Sequence, residues 1–150
     1  MGLLKSPVYY AEKHKDFYMT SAKNFAELSN AKRAKVGAMI YLNNHTLTFG
    51  HNGQPSGWDT EVCEHNPLGI EGFSVTCSSV VHGEKNAIDK VTDKELLKGS
   101  ILFVTLCPCL SCAELIVESG IKRVYYSEEY RDDAGIKLLV KFGVIVSKLK

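Results

Sequence analysis

The stretch His82–Cys112, HGEKNAIDKVTDKELLKGSILFVTLCPCLSC, decides the reading of this chain. It opens on His82-Gly83-Glu84 and closes on Pro108-Cys109-Leu110-Ser111-Cys112. Between them, Ile101 to Leu106 is a compact apolar run with the character of a central strand. Residues 82–91 read as a helix that begins at the first motif, with Ala87, Ile88 and Val91 on its apolar face. Pro108 leads from the strand into a second helix over 109–120, whose apolar face includes Leu110, Ala113, Leu115, Ile116 and Val117. Gly120 is its expected C-cap. Two cysteines one turn apart at a helix start face the same region, where free N–H groups and the positive helix end stabilise thiolates. The expectation is a catalytic zinc ion held by His82, Cys109 and Cys112, with the fourth position left to water. Glu84 then moves protons instead of binding metal. A lone histidine beside an apolar segment is more often structural; the nearby glutamate and the downstream cysteine pair reverse that here.

Working outward, Lys122 to Tyr126 reads as a strand, 133–142 as a helix begun at Asp132 or Asp133, and 143–146 as a last short strand. Helices alternate with strands from residue 82 onward, which implies a layered α/β domain. Upstream, residues 1–12 are a mixed lead-in with Pro7. Phe17, Thr20, Ser21, Asn24, Phe25 and Leu28 recur at helical spacing, giving a helix over about 14–29. Ala31 to Lys35 is a short basic turn, ordinarily a solvated surface and meaningful only if it faces a phosphate. Val36 to Leu42 suits a buried strand, Asn43-Asn44 a tight turn, and Thr46 to Gly50 the hairpin partner. Gly50 to Trp58 is a loop shaped by glycine and proline. In it, Asn52 and Trp58 have most to offer a ligand. Residues 59–81 form a long excursion, in which Cys63-Glu64-His65, together with Cys77, are loosely spaced candidates for a second metal.

Composition bounds the function. The chain has 150 residues, the size of one domain over 1–150. Eighteen Lys and Arg against seventeen Asp and Glu give a net charge of +1, which argues against holding long nucleic acid mainly by charge. There is neither the apolar region of a signal peptide nor a run that could span a membrane, so a soluble, cytoplasmic protein is expected. Five cysteines, an odd number with three clustered, read as reduced thiols near a metal and not as a disulfide scaffold. Cys77 and Cys107 read best as small buried hydrophobes.

His82-Gly83-Glu84-Lys85-Asn86-Ala87 and Thr105-Leu106-Cys107-Pro108-Cys109-Leu110-Ser111-Cys112-Ala113 resemble the two zinc motifs of the cytidine deaminase superfamily. The Asn52-Gly53-x-Pro55-x-Gly57 loop makes the chain most similar to the deoxycytidylate (dCMP) deaminase family, phage and viral members included. The likeness extends to the Arg33–Ala38 turn and strand and to Gly120–Tyr126. It departs at Gly83, where the family usually has alanine, and at Ala31, where a cysteine is common. The resemblance implies a three-layer α-β-α fold around a mixed five-stranded sheet. It implies a zinc-dependent hydrolase that converts dCMP to dUMP and ammonia, supplying thymidylate synthesis. Glu84 would pass a proton from water to N3 of cytosine, and C4 would be the carbon attacked. Asn52 is implied as the sugar-hydroxyl contact, and Arg33, Lys35, Tyr126 and Arg131 as phosphate candidates, with Arg33 favoured over Lys35 for its bidentate geometry. Such enzymes are commonly homohexamers, activated by dCTP and inhibited by dTTP through a loop that here carries Asn52, Gly53, Pro55 and Gly57. Mg2+ would accompany the triphosphate. Some members carry a second, structural zinc near residues 59–81, but their histidine-rich run is not reproduced. If the protein is phage-encoded, it works in the host cytoplasm.

Rival readings are a deaminase of the same fold acting on dCTP, on both nucleotides, or on a nucleoside, guanine or tRNA adenosine. A structural zinc module is a different class of account. It would close all four metal positions, and Cys107 is the only contender for the fourth.

Overall fold

The computed structural model describes residues 5–150. Its helices are α1 (Pro7–Lys13), α2 (Lys15–Ala26), α3 (Gly83–Asp89), α4 (Leu110–Ser119) and α5 (Ala134–Lys141). Its strands are β1 (Gly37–Tyr41), β2 (Leu47–His51), β3 (Glu64–His65), β4 (Val75–Thr76), β5 (Ile101–Leu106), β6 (Arg123–Glu128) and β7 (Ile145–Lys148). Five strands form one sheet in the order β2-β1-β5-β6-β7. β1 runs antiparallel to β2 and β5, whereas β5, β6 and β7 run parallel, so the sheet is mixed as expected. β3 and β4 pair only with each other.

Helices cover both faces of the sheet. On one side, Met19 and Ala22 of α2 and Ala11 of α1 pack with Met39, Tyr41, Phe103 and Tyr125. On the other, Ala87, Ile88, Ala113, Ile116 and Leu139 from α3, α4 and α5 pack with Ile40, Leu102, Val104 and Val124. β1 and β5 are covered on both sides. This explains their unbroken apolar runs, which lack the alternation of a half-exposed strand. The open edge at β2 is blunted: Phe49 stacks on Phe25 with ring centroids 4.0 Å apart, and Lys90 donates to the Phe49 carbonyl at 2.8 Å.

The first element differs from the expected lead-in. Ser6 caps α1 and accepts from the Tyr9 N–H, and Pro7 sits in its first turn, where a missing N–H costs nothing. The turn before β2 places His45, not an asparagine, in the left-handed region at φ 67°. Gly120 caps α4 at φ 80°, as its position suggested. The last strand lies two residues later than expected, because Gly143 at φ 82° ends the helical turn before β7 can begin. Among the described residues, no helix is long and apolar enough to cross a membrane.

Candidate active site

α3 and α4 both begin at the same end of the sheet, and each presents its metal-binding side chain from the residue before its first turn. His82 is the N-cap of α3 and Cys109 that of α4, both in extended backbone; Cys112 lies one turn inside α4. Their approach depends on two residues without side chains. A Cβ on Gly50 of β2 would sit 2.5 Å from the Ala87 nitrogen and 2.6 Å from the Gly83 carbonyl oxygen, so glycine lets α3 lie on the strand. A Cβ on Gly135 of α5 would strike the Pro108 carbonyl oxygen and come within 3.0 Å of Cys109, so α5 buttresses the cysteine turn directly. Asn86 adds a hydrogen bond from its amide to the His51 carbonyl at 2.7 Å.

His82, Cys109 and Cys112 form one cluster, with ligand atoms all within 4.8 Å of one another. His82 Nδ1 lies 3.1 Å from the Cys112 Sγ and 3.5 Å from the Cys109 Sγ. Donors on a tetrahedral zinc with ordinary bond lengths are separated by about 3.5–3.8 Å, so a movement of a few tenths of an ångström at His82 and Cys112 brings the three side chains onto such an ion. Hydrogen bonds from the Cys112 thiol and from His82 pull the Cys109 pKa down to about 3. In return, Cys112 is pushed well above the usual thiol range by its bond to Cys109 and by burial.

Glu84 is 4% exposed and lies outside the cluster. Burial raises its pKa, an effect partly offset by its own backbone N–H and the charge of His82. Three metal-binding groups with a carboxyl kept off them make the arrangement of a hydrolytic zinc centre, not of a closed structural site. Cys107, the contender for a fourth ligand, is buried in the core with its N–H bonded to the Glu128 carbonyl at 2.8 Å.

A cavity of about 510 Å3 opens above the cluster, within the range of small-molecule sites. His82, Glu84 and Cys109 line its floor, and Val36 and Leu106 line its apolar wall. Asn52, Arg33 and Arg131 line it too, so three of the expected substrate contacts share one space with the metal cluster. Lys35 is exposed and does not line it. Tyr126 departs from expectation: it is 8% exposed and packs in the core. The physical reason is that β6 runs on to Glu128, so the loop at the cavity begins after it, and Tyr130 and Arg131 reach the cavity instead.

Asn52 works first as a clip. Its Oδ1 accepts from the Val36 N–H at 2.9 Å, and its Nδ2 donates to the Ala34 carbonyl at 2.8 Å. One amide hydrogen and one lone pair remain for a ligand. Gly53 pairs with Val81 through hydrogen bonds of 3.1 and 2.8 Å, tying its loop to the residue before His82. Gly53, Pro55 and Gly57 do not line the cavity, and Gly57 holds φ 84°.

Glu64, Thr76, Glu129 and Tyr130 line the cavity without having been singled out as substrate contacts. Glu64 and Thr76 belong to the β3–β4 hairpin, whose two-residue strands leave no periodicity to read. Cys77 is half-buried, not a core hydrophobe, with its Sγ 3.4 Å from the His65 Nδ1, while Cys63 is 1% exposed. Cys63, Glu64, His65 and Cys77 do not form a second ligand cluster; the His82–Cys109–Cys112 cluster is the only one among the described residues.

The chain belongs to the family described as the cytidine and deoxycytidylate deaminase zinc-binding region, which matches residues 12–128. Among its relatives is the deoxycytidylate deaminase of Mycobacterium phage D29, 34% identical over 76% of this chain and 94% of that protein. The deoxycytidylate deaminase of Saccharomyces cerevisiae is 31% identical over 87% of this chain but 43% of its own length. Among solved structures, the dCMP deaminase of cyanophage S-TIM5 in complex with dCMP and dUMP superposes with a TM-score of 0.79. It is 39% identical, and the match covers 91% of this chain and 97% of that one.

Proposed function

We propose that the protein hydrolyses dCMP to dUMP and ammonia. The observation that carries this reading is the His82–Cys109–Cys112 cluster beside buried Glu84, at the floor of a cavity that Arg33 and Arg131 also line. When bound, zinc lowers the pKa of a water to about 7 and supplies a nucleophile at neutral pH. His82, Cys109 and Cys112 would hold that ion between two helix starts. Glu84, its pKa raised by burial, takes a proton from the water and gives it to N3 of cytosine. It then takes the proton of the new C4 hydroxyl and gives it to the departing nitrogen, so that the C4–N bond breaks, ammonia leaves and the C4 carbonyl of dUMP forms. Val36 and Leu106 keep bulk water from the ring. Asn52 offers its spare amide hydrogen to the sugar, and Arg33 and Arg131 take the phosphate.

Regulation by dCTP and dTTP, with Mg2+ beside the triphosphate, belongs to the same reading. Its support is the Gly53–Val81 bridge, which joins the Gly50–Gly57 loop to the metal ligand His82. A homohexamer working in the cytoplasm completes it. The test is a deamination screen of dCMP, dCTP, deoxycytidine and CMP, with and without dCTP and dTTP, on zinc-loaded protein whose size is measured by sedimentation. Turnover of dCMP above the others is expected. Preference for dCTP transfers the reading to the triphosphate, and inertness toward all four overturns it.

A further inference from the structure

The basic turn at residues 29–36 is held from several directions. Ser29, 3% exposed, donates to the Asn52 carbonyl at 2.8 Å and accepts from the Ala31 N–H at 3.1 Å. Asn52 takes Ala34 and Val36. The two remaining links go to one atom: Glu64 Oε2 accepts from the Lys32 N–H at 2.9 Å and from the Arg33 N–H at 3.0 Å. Glu64 comes from the β3–β4 hairpin and itself lines the cavity.

This placement is electrostatically odd. A carboxylate facing a space that receives a phosphate repels it. Charge alone therefore makes Glu64 a hindrance. Yet the Arg33 guanidinium has no hydrogen bond or ion pair among the described residues, so only its backbone is fixed. A long exposed side chain on an unfixed turn loses rotamer and backbone freedom when it grips a ligand. Two charge-assisted bonds on successive N–H groups remove the backbone part of that cost beforehand.

We infer that Glu64 is a positioning residue, whose carboxylate holds the Lys32–Arg33 turn so that Arg33 meets the substrate phosphate. This rests on the reading of a nucleotide monophosphate in the cavity. It makes the excursion between the Gly50–Gly57 loop and α3 part of the binding apparatus, acting through the turn without touching the reacting atoms. It also gives the phosphate end of the site a support independent of the metal.

The test compares Glu64→Ala and Glu64→Gln in zinc-loaded protein, with dCMP and with deoxycytidine, which has no phosphate. Glu64→Ala is expected to raise KM for dCMP about tenfold, the worth of one weakened charged contact between Arg33 and the phosphate, with kcat within about twofold. Its kcat/KM for deoxycytidine is expected to be unchanged. Glu64→Gln keeps an oxygen for both N–H groups and is expected to restore KM. Amide hydrogen exchange at Lys32 and Arg33 is expected to quicken in the alanine variant, while Val36 keeps its protection. A dCMP KM that stays level or falls in Glu64→Ala overturns the inference, leaving Glu64 as a repelling charge alone. Equal losses for dCMP and deoxycytidine overturn it in favour of a general structural role. If wild-type protein fails to turn over dCMP, the functional reading falls by itself. Amide exchange and the binding of inorganic phosphate, followed by the Arg33 amide shift, then decide the clamp, and unchanged values in Glu64→Ala overturn it.

Discussion

At the scale of single residues, the proposed mechanism divides the site into three groups that hold metal and one, Glu84, that moves protons. Replacing Glu84 with Gln keeps shape and burial but removes the proton carrier. Glu84→Gln is therefore expected to retain about one zinc per chain, by metal analysis, while kcat falls roughly 10²–10⁴-fold. A second prediction concerns the far face of the sheet. Tyr125, 2% exposed, donates its hydroxyl to Glu12, which also accepts from Arg123 at 2.9 Å. Burial, then the Glu12 bond, push its pKa to about 12. The folded protein thus keeps a proton that the unfolded chain, near 10, has lost. This stabilisation is complete below pH 10 and disappears as pH rises toward about 12. Denaturant midpoints measured over that range should drop more steeply for wild type than for Tyr125→Phe. The His82–Cys109–Cys112 cluster and its neighbour Glu84 could be located from the sequence because they are compressed into two short motifs. Glu64 and Tyr130 could not, because their roles come from partners distant in the chain or from where a strand happens to end.

At the scale of elements, two helix starts and a buttress make the metal site. α5 contributes no ligand, yet Gly135 lies against Pro108 and Cys109. A methyl group there must push the cysteine turn or tilt the helix. Gly135→Ala is expected to cost about 1–3 kcal/mol in thermal or denaturant unfolding, the usual cost of overpacking, and to lower zinc retention under competition with a chelator. Unchanged zinc affinity would mean that α5 yields and the turn does not. The sheet strands could be read from unbroken apolar runs, and α4 from its proline entry and glycine exit. The β3–β4 hairpin could not, since each strand has two residues and its value lies in the contact of Glu64 with a turn some thirty residues earlier. α1 is hidden by the mixed composition of the residues around it, although Ser6 followed by Pro7 is an ordinary helix start.

At the scale of the whole molecule, the metal cluster joins the starts of two helices that pack side by side on one face of the sheet. Zinc binds only the folded arrangement tightly, so its binding energy adds to folding. At zinc a hundredfold above its dissociation constant, the gain is about 2.7 kcal/mol, which for a domain of this size is roughly 5–11 °C in Tm. Calorimetry before and after chelation should show that difference; an equal Tm would mean that the folded protein holds no zinc, or that the unfolded chain binds it equally well. The layered architecture was legible as a whole, because alternating helices and apolar strands admit few other solutions. One consequence follows from where β6 stops. The segment from Glu129 to Asp133 leaves the sheet at the cavity mouth, carries Tyr130 and Arg131 to its rim, and contains none of the three metal ligands. It is an interchangeable part. Grafting a different loop there should alter which base-bearing molecules are admitted while the zinc stoichiometry stays the same, so that new specificities can arise in this scaffold without the chemistry having to be reinvented.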